Sequence, residues 1–227
     1  MEKNWRLLNY SILISFVLLA LIYSCKKDDD NNQVKDVDGN VYNTVTIGTQ
    51  VWMVENLKTT RYKDGTSIPL ITDDIDWGAL SAGAYCNYQN NDSLVTYYGR
   101  LYNWYAVNTG KLAPEGWHVP SDKEWLILSE YLGGGEIAGG KLKEAGLTHW
   151  CTPNTSATNE SGFTALPGGL RFDDSGFGFI KSVEVWWSSS EDTQLRGIDF
   201  YVGYIYSNAY LESYNKIGGF AIRCIKN

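Results

Sequence analysis

The sequence predicts an α+β fold, and three observations carry that prediction. Strand patterns come first along the chain, two helical patterns follow, and strand patterns return towards the end, which is the segregated order of that class. The composition sets 16 Tyr, 9 Trp and 23 Gly against 2 Met and 2 His, a balance that suits strands, turns and amphipathic surfaces rather than a helical bundle. One segment, GWHVPSDKEWLILSEYLGGG, carries a full set of helix start and stop signals. With 227 residues, 44% of them hydrophobic, the chain can bury one full core once its N-terminus is set apart.

Residues 1–24 begin with Lys3 and Arg6, run apolar from Ile12 to Tyr23 with only Ser15 between, and end at Ser24 before Cys25. This is the layout of a secretory signal, because an apolar run of about 12 residues is too short for the roughly 20 that cross a bilayer. Ile22-Tyr23-Ser24-Cys25 resembles the lipobox of bacterial lipoproteins, which implies lipidation of Cys25 and a membrane anchor. Residues 25–35 are charged and polar with nothing to bury, so a disordered tether is expected there, and the domain is expected to span residues 36–227. The Asp28-Asp29-Asp30 cluster resembles the export signal that sends Bacteroidota lipoproteins to the outer face of the outer membrane. Such a compartment permits disulfides. With Cys25 taken by lipid, Cys86, Cys151 and Cys224 remain, an odd number that allows at most one internal bridge. The favoured pairing is Cys86 with Cys224, one in a tyrosine-rich segment and the other in an apolar C-terminal strand.

Along the domain, Asp38-Gly39 marks a turn, Val41, Val45 and Ile47 share one strand face, and Gly48-Thr49 turns the chain back into the apolar run Val51–Val54: a hairpin. Residues 61–92 read as loop, and YYGRLYNWYAV, residues 97–107, is dense in aromatics. Ser121 stands three residues before Glu124, the capping-box spacing in which each side chain satisfies the other's backbone N–H. Trp125, Leu128, Ser129 and Leu132 then recur at helical spacing until Gly133-Gly134-Gly135 stops the helix. A weaker helix is expected over residues 137–145, with Ala138, Leu142 and Ala145 on one stripe and Gly139 and Gly140 each weakening it by roughly 1 kcal/mol relative to Ala. Strands are expected at residues 163–172, 183–188, 198–206 and 220–225.

Several stretches in order, DVDGNVYNTVTIGTQVWMVENLK, YYGRLYNWYAV, APEGWHVPSDKEW, AGGKLKEAG, ATNESGFTALPGGLR, VWWSSSED and GGFAIRC, resemble the Fibrobacter succinogenes major paralogous domain, which is abundant in bacterial surface lipoproteins. The GWHVPSDKEW and FAIRC pieces also resemble the formylglycine-generating-enzyme-like group. That resemblance implies a C-type-lectin-like fold, with two helices flanking a twisted, mostly antiparallel sheet and adjacent termini. The enzymes of that group use two late cysteines a few residues apart, and Cys224 has no such neighbour. The lectin calcium triplets E-P-N, Q-P-D and W-N-D do not occur either.

Function is read from what is present and what is missing. The net charge is −7 with no basic block, which excludes nucleic acid as a partner. Asp36, Asp38 and Asn40 begin like a calcium loop but lack its central Gly and closing acid, so no metal or cofactor is expected. His118 has its neighbouring polar groups committed to the helix cap, and His149 adjoins Cys151 with no orienting acid evident, so no catalytic residue is assigned. YVGYIYSNAYLESYNK, residues 201–216, mixes tyrosines with Ser and Asn, a composition suited to adaptable recognition. Tyr201, Tyr204, Tyr206, Asn208, Tyr210 and Tyr214 are therefore the expected contacts to a glycan or surface protein, although Tyr204 and Tyr206 continue the apolar face of Ile198, Phe200 and Val202. A polysaccharide-active enzyme and a structural or adhesin-accessory lipoprotein are the alternatives.

Overall fold

The computed structural model describes residues 32–174 and 176–227, so the predicted signal sequence, Cys25 and tether residues 26–31 lie outside the described residues. The first strands are β1 (Gln33–Lys35), β2 (Val41–Ile47) and β3 (Gln50–Met53). Short elements follow: α1 (Asp74–Gly78), β4 (Tyr85–Cys86), α2 (Val95–Tyr98), β5 (Leu101–Tyr102), α3 (Trp104–Val107) and β6 (Trp117–His118). The two longer helices are α4 (Asp122–Tyr131) and α5 (Gly135–Leu142). After them come β7 (Leu170–Arg171), β8 (Phe177–Gly178), β9 (Val183–Glu191), β10 (Arg196–Gly203), β11 (Ala209–Asn215) and β12 (Ile225–Lys226). The expected α+β class is what the described residues form.

Two antiparallel sheets dominate. One runs β1-β2-β3-β12-β6, so that the last strand of the chain is clamped between an early hairpin and the strand before α4. The other runs β11-β10-β9. Side chains of this second sheet alternate between two cores. Trp186, Phe200, Val202 and Ala209 face Trp52, Trp125, Leu128 and Phe163. Val185 and Trp187 face Tyr102, Leu170 and Phe220. A third, smaller cluster gathers Trp77, Ala84, Cys86, Tyr88 and Leu101.

The α4 reading holds in detail. Ser121 caps the helix, both arms of the capping box are made, and Trp125, Leu128, Ser129 and Leu132 are all buried. Trp125 stacks on Phe200 with centroids 4.5 Å apart, which ties the helix to the second sheet. The glycines of α5 have a packing reason. A Cβ on Gly139 would lie 2.0 Å from the Asn208 carbonyl oxygen, so only glycine lets the helix meet the β10–β11 turn backbone to backbone.

Much of this loop-rich chain is held by buried cations. Lys143 donates to the carbonyls of Thr155, Gly203 and Tyr206 and lies over Trp150. Arg171 donates to the carbonyls of Ile71, Thr72 and Asp73 and to Asp74, stacked over Trp77 at 4.4 Å. Lys216 pairs with Glu191 over Trp104, and Arg223 donates to Asn56 and to the Phe163 carbonyl over the Phe163 ring. Each clasp combines an aromatic face with oxygen acceptors and pins a loop that has no ladder of its own.

Several expectations are corrected. Residues 33–35, assigned to the tether, form β1 against β2, so the domain begins before residue 36. Val41 is exposed and Tyr42 takes the buried place, because its hydroxyl donates to Asp36 and accepts from the Lys58 N–H. The second helix ends at Leu142 and Ala145 is exposed outside it; extended backbone at Lys143 carries that ammonium to its carbonyls. The expected strand over 163–172 shrinks to Leu170–Arg171, and that over 220–225 keeps single bridges at Phe220 and Ala221 and joins β12 only at Ile225. The Cys86–Cys224 disulfide is absent: both thiols are free and buried, Cys86 in the third cluster and Cys224 in the first. Burial pushes the Cys86 thiol up to about 12, an inert packing cysteine.

Candidate functional site

The second sheet has one carboxyl buried on each face, and the two are treated differently. On the α4 side, Glu184 accepts from the Asn56 amide at 2.6 Å and from the Gly168 N–H. Asn56 in turn accepts from Arg223 and from the Trp186 indole, closing a network across four segments. Burial pushes Glu184 up while the Gly168 N–H and the Arg223 charge oppose the rise.

On the other face, odd-numbered residues of β10 point towards a groove. It encloses about 250 Å³ and is walled by Phe172, Phe179, Tyr201, Tyr214 and Val183, with Asp199 and Glu212 among its lining. Asp199 and Glu212 are direct partners across the β10–β11 pair, which sets their Cβ atoms roughly 5 Å apart. Asp199 is 4% exposed and, among the described residues, has no hydrogen-bond partner. Burial first, and then the charge of Glu212, pushes its carboxyl up to about 7, with Arg196 opposing. Arg196 does not bond to it; its guanidinium is held by Ser213. Phe179 is 55% exposed at the rim, its ring centroid 5.9 Å from that of Phe172. The groove thus offers aromatic faces and two carboxyl groups free to accept hydrogen bonds.

The sequence-predicted contacts divide. Tyr201 and Tyr214 line the groove, and Tyr210 stands beside Tyr201 with centroids 5.6 Å apart, extending the aromatic surface. Tyr214 also donates to Asp173, whose second oxygen takes the Asn215 amide. Tyr204, Tyr206 and Asn208 belong to the turn between β10 and β11, away from the groove lining. There Tyr204 packs on the α4-side core, the Tyr206 carbonyl receives Lys143, Asn208 donates to the Tyr210 hydroxyl, and the Tyr206 ring is exposed. Sequence reading missed Asp199, Glu212, Phe172 and Phe179. A signal did exist: Asp199 stands between Ile198 and Phe200 inside a run that reads as strand, an acid with no turn residue beside it.

The other candidates resolve into structure. His118 binds Glu124 through Nε2 and Asn227 through Nδ1, both at 2.7 Å, and Glu124 also holds Ser121. Although burial alone would raise the Glu124 carboxyl, the Ser121 and His118 bonds lower it. His118 lines a hollow of about 160 Å³ with Val107, Leu112, Val119 and Ser189, and no acid joins that lining. His149 has an orienting acid after all, Glu144 at 2.9 Å, but among the described residues no hydrogen bond joins it to Cys151. Asp36 accepts from the Asp38 and Asn40 N–H groups and from Asn40 and Tyr42 side chains, which satisfies it as a turn residue. Among the described residues no cluster of three His, Cys, Asp or Glu side chains is placed to hold a metal.

Comparison with curated proteins and with solved structures finds no match. The model of one family, described as the Fibrobacter succinogenes major domain, matches residues 45–226, which takes in the end of β2, β3, both longer helices, the groove strands and the closing strand. The chain therefore belongs to the Fibrobacter succinogenes major domain family.

Proposed function

We propose that this chain is a surface lipoprotein of the outer membrane, anchored through Cys25, whose domain binds a glycan without catalysis in the groove of the second sheet. The observation that carries the reading is Asp199, a buried carboxyl with no partner of its own among aromatic walls. Its carboxyl opens only to the groove, so the hydroxyl or amino donors of a ligand seated there would supply the partners that the fold does not. The volume suits one sugar ring, and Tyr201, Tyr214, Phe172 and Phe179 supply faces for it to stack on. The C-type-lectin-like fold belongs to the same proposal, supported by the two helices and by β12 lying beside β3, which brings late and early chain together.

A second reading has its own observation. A carboxyl held near pH 7 opposite another carboxyl could serve as general acid in polysaccharide hydrolysis. The full-length chain is to be incubated with a panel of polysaccharides, reading both retention of the glycan and release of reducing ends. Retention without release, abolished by Tyr201→Ala with Tyr214→Ala, is the expected result. Release of reducing ends that stops in Asp199→Asn would make the chain an enzyme, and no retention by any glycan would overturn the glycan reading.

A further inference from the structure

We infer that the ligand of this groove presents a protonated amine, received by Asp199 and Glu212 while the aromatic walls hold the body of the ligand. The inference rests on the groove being the binding site and goes on to specify the ligand's charge. The fold supplies the pattern. Lys143, Arg171, Lys216 and Arg223, all at least 96% buried, each sit over an aromatic ring with oxygen acceptors around the nitrogen. The groove repeats the aromatic faces and the acceptors and has no cation among its lining residues.

Electrostatics favours an ammonium over a neutral hydroxyl there. Two carboxyl groups that face each other repel when both are ionised, and one positive charge between them relieves the repulsion and satisfies the buried member. The groups that face Asp199 are Glu212 from β11, Tyr201 and Arg196 from β10, and Tyr214 towards the end of β11. From β9, Trp187 stands opposite Asp199 in the strand register with its indole N–H committed to the Tyr102 carbonyl, and Val183 and Val185 join it, none of them charged. Arg196 is engaged with Ser213 on the exposed side. A cation arriving at this pair should therefore displace the proton of Asp199 and bind more tightly as pH rises towards neutrality.

The test is calorimetric titration of the full-length chain at about pH 6, where amino-sugar amines are largely protonated and Asp199 still largely holds its proton, with tetramers of glucosamine, N-acetylglucosamine and glucose, and with Nα-acetyl-lysine methylamide. The glucosamine tetramer should bind at least about tenfold more tightly than the other two sugars, the size expected of a charged hydrogen bond. Its heat should vary with the buffer's ionisation enthalpy, reporting the released proton. Glu212→Gln, at an exposed position, should keep the fold and remove the tenfold preference; Asp199→Asn should abolish the proton release. Equal binding of the acetylated and free-amine sugars would overturn the amine inference and leave the groove reading standing. Binding of the lysine derivative without any sugar would support the amine and overturn the glycan. If none binds, both fall.

Discussion

Glu184 and Asp199 lie on opposite faces of one three-stranded sheet, both nearly removed from solvent, and the contrast between them separates scaffold from site. Glu184 is answered by the protein itself, through Asn56, the Gly168 N–H and the charge of Arg223. Asp199 is answered by nothing among the described residues and instead opens into an aromatic groove. A buried polar network that is complete stabilises and specifies a fold, whereas an incomplete one is a standing cost that a structural role does not explain. The difference teaches that neither burial nor a missing partner is by itself a functional signal, since Trp125 Nε1 and Ser129 Oγ are buried without partners inside the α4 packing; an unpartnered carboxyl that opens into an aromatic groove is.

The contrast can be broken most forcefully on the Glu184 side. Arg223→Met should destabilise the domain by about 3–5 kcal/mol, because it leaves Glu184, Asn56 and the Phe163 carbonyl without their cation. Chemical denaturation measures it, and a loss under about 1 kcal/mol would mean the network is not structural.

Asp199→Asn should do the reverse. The folded-state pKa is raised to about 7, above the roughly 3.9 of an unfolded Asp. The wild type therefore loses stability as pH climbs from about 4 to about 7, and the variant does not. Above pH 7 the variant should gain on the order of 2 kcal/mol once the burial of its own amide is set against the relieved charge, and below pH 4 it should gain none. Denaturant titrations of both proteins at pH 4 and pH 8 check this.

Smaller effects sharpen the scaffold side. Gly139→Ala would push its methyl into the Asn208 carbonyl and should cost about 1–3 kcal/mol, while exposing Tyr204 as the β10–β11 turn is displaced; tyrosine fluorescence and the thermal midpoint report the two parts. Ser121→Ala should cost about 1 kcal/mol through the lost cap, with Glu124 left to His118, and equilibrium denaturation reads it.

What could be seen in the sequence follows from how local each feature is. The α4 cap and stripe, the β2–β3 hairpin and the aromatic density of residues 97–107 are written within a turn or two of chain, and the structure keeps them. Features set by distant partners were not visible. Tyr42 took the place expected of Val41 because of Asp36 and Lys58, the second helix stopped early because Lys143 reaches carbonyls about 60 residues away, and Cys86 and Cys224 ended in separate clusters. The candidate site was half legible for the same reason. Tyr201 and Tyr214 were singled out by composition, but the groove exists only because residues near 172 and 179 fold over a strand pair that follows them in the chain.

The most direct test of the central claim is a carbon-13 NMR titration of the Asp199 carboxyl in the free protein. A midpoint near 7 that falls when the glucosamine tetramer is added is the result this account predicts. A midpoint near 4, unmoved by the ligand, would mean that Asp199 is already satisfied within the protein and that the groove is not where recognition occurs.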